Sequence, residues 1–425
     1  MTVVRPAGWL ILVWVCMLAC HRPPDDPGRV DPPEIREAFR FTKALTPVAF
    51  DPDAEATRAG EQHVADSASC ADCHRTIYNN WHGSRHRVAF TNPLYKEAHA
   101  REPSRWCVNC HAPFVHADDA HRYDPEPFQA ADGISCVVCH VRDGKMLTGR
   151  VPEAPANGDG FAHDYQIVPA MSQPEFCGSC HQFNFLSAAS VDATRQWAAA
   201  VAHARSRGEE PPPVDQAPSF AYSDLVMQNT VGEWKSSSYG TGGSLGCHNC
   251  HLRPGGPESH TFPGGHDLAG LARSIGIEAR HEGGGRLELR VYTVGIGHAF
   301  PTGDLFRALR VKLYTPGGRP VREIVLKKRY ANIPREERDD DPLRPPKRLV
   351  EDGVIPPPVA GDFVSSRTLS LAWPREARDE LRYELYIDYL EPSNHLLTHL
   401  PLSLTSPRFK SGVLRIYPED EPFLY

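Results

Sequence analysis

The spacing of apolar and polar positions changes three times along the chain. Behind Arg5, an apolar run from Trp9 to Ala19 is too short to span a bilayer and reads as a secretory signal over residues 1–20. Pro23, Pro24, Pro27, Pro32 and Pro33, set among charged residues, make 21–64 an extended tether. From 65 to 270 the spacing predicts helices over Ala188–Arg207 and Tyr222–Tyr239, separated by a loop at Pro211-Pro212-Pro213 and Pro218. A second loop, rich in Gly and Pro, runs from Val141 to Glu175. Beyond 285 the period becomes two. Leu287, Leu289 and Val291 alternate with Glu288 and Arg290, Leu309, Val311 and Leu313 with Arg310 and Lys312, and Tyr383, Leu385, Ile387 and Tyr389 with Glu384, Tyr386 and Asp388. The pattern predicts an α+β chain: a mainly helical, loop-rich domain over 65–270, then an antiparallel β-sandwich-like domain over 285–425. The charged run Arg335–Asp341 reads as a solvated loop.

Composition sets limits without naming a chemistry. A chain of 425 residues can hold two to three domains, and a formal net charge of −7 leaves no electrostatic footprint for nucleic acid. The cysteines do name one. Ten of the twelve fall in five copies of one pattern: Cys70-Ala-Asp-Cys73-His74, Cys107-Val-Asn-Cys110-His111, Cys136-Val-Val-Cys139-His140, Cys177-Gly-Ser-Cys180-His181 and Cys247-His-Asn-Cys250-His251. C-x-x-C-H attaches c-type haem: both thiols bond to the porphyrin edge and the histidine binds the iron. Five covalent haem c groups are therefore expected, with His74, His111, His140, His181 and His251 as proximal ligands. Zinc ribbons pair two C-x-x-C knuckles per metal and need no histidine after each, and thioredoxin-like redox sites use one motif on a βαβ scaffold. So many haems between residues 70 and 251 must supply much of the core themselves.

Each iron has a sixth position to fill. Only Met146, Met171 and Met227 compete with many histidines outside the motifs, so histidine on both faces is expected for most irons, a ligation suited to electron transfer. Cys70-Ala-Asp-Cys73-His74 followed by Tyr78, Trp81, Ser84 and His86 resembles the tetrahaem cytochrome c-554 family and its hydroxylamine-oxidoreductase-like and nitrite-reductase-like relatives. The resemblance implies that the histidine of W-x-x-S-x-H, His86 here, is a distal ligand. A second segment, Met227 to Trp234 and Ser237 and on to His260-Thr-Phe-Pro-Gly264-Gly265-His266, is similar to one that follows haem motifs in this group and implies distal roles for His260 and His266. Trp234-x-x-Ser237-x-Tyr239 repeats the spacing around His86 with tyrosine in the ligand's place, a decayed copy. Gly297-His298-Ala-Phe-Pro301-Thr-Gly303-Asp304 resembles a G-H-x-x-P-T-G segment of β-domains appended to such cytochromes, which implies a ligand role for His298; a structural histidine before a turn is the alternative. His163 and His116 are further candidates. His63, His82, His99, His121, His203, His281, His395 and His399 default to surface or structural roles, and His248, between two haem-bonding cysteines, to exposure.

The signal ends in Met17-Leu18-Ala19-Cys20, which resembles the end of a bacterial lipoprotein signal and implies acylation at Cys20; an ordinary cleaved signal and an uncleaved anchor are the alternatives. Either way the chain is expected to be exported, to the periplasm or an outer-membrane surface, where covalent haem attachment takes place. The expected function is electron transfer between redox proteins. The alternative is a reductase or oxidase of a small nitrogen or sulfur compound at one five-coordinate haem, although no motif carries the lysine that marks the catalytic haem in nitrite-reductase-like proteins. A third reading is an anchored conduit whose β-domain docks a partner. Gly242-Gly243-Ser244-Leu245-Gly246 fits G-x-S-x-G but runs straight into a haem motif rather than a helix of a hydrolase sheet.

Overall fold

The computed structural model describes residues 56–58, 61–63, 67–101, 105–113, 132–142, 145–151, 165–212, 216, 218–242, 245–252, 259–338, 341, 343–359, 361–372, 379–391 and 398–424. The signal, Cys20, His116 and His163 lie outside these residues. Among the described residues no helix is long and apolar enough to cross a membrane.

The haem-motif region is built of short pieces. After a small hairpin, β1 (Ala56–Arg58) with β2 (Glu61–His63), come helices α1 (Ser67–Cys70), α2 (Arg75–His82), α3 (Pro93–Arg101), α4 (Arg105–His111), α5 (Cys136–His140) and α6 (Pro174–His181). Four of the five motifs close a helix with their histidine or lie wholly within one, and the first bridges α1 and the start of α2. Strands are threaded among them: β3 (Val141–Arg142), β4 (Lys145–Thr148) and β5 (Tyr165–Ile167) form one small sheet, β6 (Gln182–Leu186) and β7 (Tyr222–Asn229) another. The region thus mixes short helices with small sheets. The expected helix over Ala188–Arg207 forms as α7 (Ala188–Ser206), capped by Ser187, whose Oγ accepts the Ser190 N–H at 3.2 Å.

The expected helix over Tyr222–Tyr239 does not run through. Its first half is β7, because Tyr222–Asn229 pairs antiparallel with the strand that leaves the fourth motif, Gln182 opposite Asn229 and Leu186 opposite Tyr222. Pairing with a neighbour overrides local spacing, as strand formation often does. The second half breaks into α8 (Thr230–Lys235) and α9 (Ser238–Thr241), followed by α10 (Cys247–His251) with the fifth motif. Gln182 sets the switch from strand to helix. Its Nε2 donates to Asn229 Oδ1 at 2.9 Å, while its Oε1 accepts the N–H groups of Val231 and Gly232 at 3.1 and 3.2 Å, two donors that a helix start leaves free.

After α11 (Leu268–Ser274) the chain enters a seven-stranded sheet made from β8 (Ile275–His281), β9 (Arg286–Val294), β10 (Ala308–Tyr314), β11 (Pro320–Leu326), β14 (Val364–Ala372), β15 (Glu380–Asp388) and β16 (Arg408–Tyr417), with β12 (Lys328–Asn332) and β13 (Lys347–Asp352) as a separate ribbon. The order is β11-β10-β15-β16-β8-β9-β14. The predicted alternation is seen directly: Leu287, Leu289 and Val291 on β9 and Leu309, Val311 and Leu313 on β10 are buried, and the charged residues between them are not. The antiparallel expectation needs correction at one seam, because β16 runs parallel to β8, Ile416 opposite Ala279. The sheet is mixed, and it starts at Ile275 rather than at 285.

The main apolar cluster lies against this sheet, with Ile275, Leu289, Leu309, Leu385 and Ile416 among its members, and it takes in Leu94 and Leu271 from the haem-motif side. Burying each such leucine is worth about 1.5–3 kcal/mol. The connections on either side of β13 are also tied to the haem-motif region by hydrogen bonds: Ser238 N–H donates to Pro358 O at 2.8 Å and Ala188 N–H to Arg344 O at 2.8 Å.

Candidate haem centres

The five motif histidines fall within reach of histidines from distant segments in three cases. The rings of His181 and His86 face each other with centroids 6.3 Å apart, those of His140 and His260 with 6.2 Å, and those of His251 and His298 with 6.4 Å. A metal–imidazole nitrogen bond is about 2 Å, so two imidazoles on opposite faces of one metal hold their centroids about 6.3 Å apart. All three spacings fit that arrangement.

Hydrogen bonds set which ring nitrogen is free. A carbonyl oxygen only accepts, so each Nδ1 beside one must carry the proton and leave the Nε2 lone pair for a metal. His111 Nδ1 donates to Ala89 O at 2.9 Å, His140 Nδ1 to Leu147 O at 2.8 Å, His251 Nδ1 to Pro263 O at 2.5 Å and His298 Nδ1 to Ala299 O at 2.9 Å. At His181 the contact has the opposite sense: the Gln228 side-chain Nε2 lies 3.2 Å from Nδ1 and, as an amide N–H, donates to it, so it does not hold a proton there. Protonation would spoil a ligand, and the site opposes it. Burial, then the neighbouring His181, His251 and His260, pull His86 down to about 3. Burial and then His251 pull His181 down to about 4, although the residue as a whole is exposed. His298 and His111 are lowered as well, chiefly by burial.

The distal segments are held by the residues of their motifs. Trp81 is buried and donates from Nε1 to Ile134 O at 2.8 Å, while the backbone oxygen of His86 accepts the N–H of Ile134 at 3.0 Å. Gly133 makes this approach possible: its φ is +53°, and a Cβ there would lie 2.5 Å from His86 O. Phe262 takes φ +47° and sets its ring 4.2 Å from that of His86 and 5.7 Å from that of His260, wedged between two distal candidates.

The repeat at Trp234-x-x-Ser237-x-Tyr239 has kept its shape and changed its task. Ser237 is fully buried and donates to Trp234 O at 2.6 Å, and Tyr239 packs on Phe363 and against Gly297, next to His298. The first copy presents the imidazole itself. The second buttresses the loop that presents one. That loop is pinned further by Glu233, which is buried and takes the Thr302 hydroxyl at 2.6 Å and Lys328 Nζ at 2.7 Å. Sequence reading passed over Glu233, Thr302 and Gln228, because their partners lie 69, 95 and 47 residues away.

Other predicted residues are placed differently. His266 stacks on Tyr389 at 4.0 Å, and among the described residues its ring meets no motif histidine. His111 stacks on Tyr95 at 4.2 Å, with His99 on the far side of that tyrosine at 5.3 Å, so His99 has a structural place. His248 is half-buried against Gly246 rather than exposed. The motif thiols form no disulfide among the described residues and bring their motifs into contact. Cys70 hydrogen-bonds with Cys136, Cys110 with Cys180, and Cys177 with Cys247, while Cys139 acts electrostatically on Cys177. The first motif thus neighbours the third, and the fourth neighbours the second, third and fifth.

The repeated C-x-x-C-H motifs, with imidazoles set in facing pairs, define a multihaem c-type cytochrome, a class whose work is redox and electron transfer. Residues 69–141 match the model of the family described as cytochrome c554 and c-prime, the family that the residues around His86 resemble. The crystal structure of a penta-heme cytochrome c552 from Thermochromatium tepidum shares the fold, with a TM-score of 0.55 at 19% identity, over 83% of this chain and 98% of that one. No curated protein matches in sequence.

Proposed function

We propose that the chain is a pentahaem electron carrier of an exported compartment, with histidine on both faces of at least three irons. The observation that carries this reading is the set of three facing imidazole pairs, His86 with His181, His260 with His140 and His298 with His251, at 6.2–6.4 Å. Bound haem would supply a one-electron iron couple. The chain's own residues do the rest: ten thiols fix the groups, the carbonyls of Ala89, Leu147 and Pro263 keep the proximal Nε2 atoms unprotonated, and burial keeps the His86 and His298 rings neutral. Contacts between the cysteines of neighbouring motifs favour a continuous path that branches at the fourth motif.

Export and membrane attachment rest on residues 1–20, with Cys20 as the proposed acylated terminus, and the partners would be redox proteins that give and take electrons outside the cytoplasm. His116, His163 and His266 remain proposed distal ligands for the other irons. A pyridine haemochrome assay on purified protein should return five haems per chain, and the ferric spectrum should be dominated by low-spin iron. One or two haems, or a mainly high-spin spectrum that shifts with nitrite or hydroxylamine, would overturn the carrier reading, the latter in favour of catalysis. Metabolic labelling with a fatty acid, lost in Cys20→Ser, tests the anchor.

A further inference from the structure

The histidine of the fourth motif meets a side chain where three other motif histidines meet backbone. His111, His140 and His251 each turn Nδ1 to a peptide carbonyl, of Ala89, Leu147 and Pro263. At His181 the neighbour is the amide of Gln228, whose Nε2 lies 3.2 Å from Nδ1. Gln228 is buried, and strand pairing fixes its place: β6 leaves the motif directly after His181, β7 returns beside it, and Phe183 stands opposite Gln228. One residue further along β7, Asn229 Oδ1 accepts the Gln182 amide at 2.9 Å and locks that register. The ring so held is the one whose centroid lies 6.3 Å from that of His86.

A peptide carbonyl and a side-chain amide are different partners. The carbonyl only accepts, whatever residue carries it. The amide holds a donor and an acceptor on one carbon, and half a turn about its last bond exchanges them in place. In its present orientation Gln228 turns the donor to Nδ1. A neutral imidazole that binds metal through Nε2 keeps its proton on Nδ1, and toward that proton the same amide offers Oε1. An acceptor there orients the ring and raises its basicity. A more basic ring favours ferric iron, which carries the larger charge and gains more from electron donation.

We propose that Gln228 is the positioning residue of the fourth centre, orienting His181 and setting how strongly its ring donates to the iron. The inference deepens the bis-histidine reading and rests on it, since it needs His181 and His86 on one iron. The thiols of the fourth motif meet those of the second and the fifth, Cys180 with Cys110 and Cys177 with Cys247. One replaceable side chain therefore bears on the branch point of the proposed path.

Redox titration of the purified holoprotein, followed by haem absorption and by the low-spin signals in electron paramagnetic resonance, tests this in wild type, Gln228→Met and Gln228→Glu. The signal of the fourth centre is the one that His86→Ala removes. Methionine keeps the volume and gives up the strong acceptor. The oxidised-to-reduced ratio of that centre should then fall about tenfold at a given potential, equivalent to about 59 mV for a one-electron couple, and its signal should move as the ring is freed to turn. Glutamate is a stronger acceptor, so the ratio should rise by as much. Opposite shifts from one position separate hydrogen bonding from packing, which both substitutions disturb in the same sense. If one variant fails to assemble, the other still decides. A fourth centre that coincides with wild type in a variant retaining five haems, a shift confined to another centre, or shifts of the same sign in both variants overturns the role of Gln228 alone. A wild-type content below five haems, or low-spin signals that all survive His86→Ala, overturns the reading on which it rests.

Discussion

The two halves of the described chain are stabilised by different material. The C-terminal sheet carries a continuous apolar cluster of its own side chains, from Ile275 through Leu289, Leu309 and Leu385 to Ile416. The haem-motif region offers small clusters, Phe90 with Tyr95 and Ala112, and Leu147 with Val168, while three pairs of its motif cysteines come together, Cys70 with Cys136, Cys110 with Cys180 and Cys177 with Cys247. The sheet can hold itself together by burying hydrocarbon. The other region needs the groups its cysteines bind, and Leu94 and Leu271 join the sheet's cluster from its side.

The largest expected effect tests that asymmetry. A chain expressed without haem attachment should lose protease resistance across residues 70–251 while keeping the β-sheet signal of 275–424 in far-ultraviolet circular dichroism. Equal resistance in both halves would show that the haem-motif region has an adequate core of its own. Next comes a charge buried in the sheet. Asp388 has no exposed surface and accepts Arg310 Nε at 3.0 Å and Nη2 at 2.6 Å, with the Ser406 hydroxyl as a third donor. Arg310→Ala leaves that carboxylate without its cation and should cost about 3–5 kcal/mol of stability by denaturant titration, with the haem spectrum unchanged below the transition.

A smaller effect should appear where the halves meet. His298→Ala should turn one haem high-spin with little change in sheet stability. Glu233→Ala frees Thr302 and Lys328 and should weaken the same ligand partly, giving a mixed spectrum, whereas Glu233→Gln, which still accepts from Thr302, should give less. An unchanged spectrum in His298→Ala would remove the sheet from the haem array. The mildest effect is on pH. His86 and His181 are held at about 3 and about 4 in the folded chain, against about 6.5 for an unperturbed imidazole. Between these values the unfolded chain binds more protons, so stability should fall as pH drops below about 6.5 and be lost progressively toward 3. A stability profile flat from pH 7 to 4 would show that these rings are not held neutral in the folded chain.

Legibility differed in the same way between the halves. The period-two runs centred on Leu289, Val311 and Leu385 announced strands, because a sheet with one buried face repeats every second residue. The parallel seam between β16 and β8 was not legible, since strand direction is decided by which edges are free when the chain returns. In the haem-motif region the attachment residues could be read one by one, as covalent attachment requires Cys, Cys and His within five consecutive positions. The helix expected at Tyr222–Asn229 became β7 because its partner β6 starts at the fourth motif, far back in the chain.

By itself, then, the sequence determined the chemistry: which thiols can bind haem, which histidine follows each pair, and which segments alternate as strands. Only the tertiary structure decided the pairing of His86 with His181, His260 with His140 and His298 with His251. The physical reason is range. Covalent attachment acts within one helical turn and leaves a local motif, whereas a second imidazole is brought in by packing between segments whose separation in sequence carries no signal.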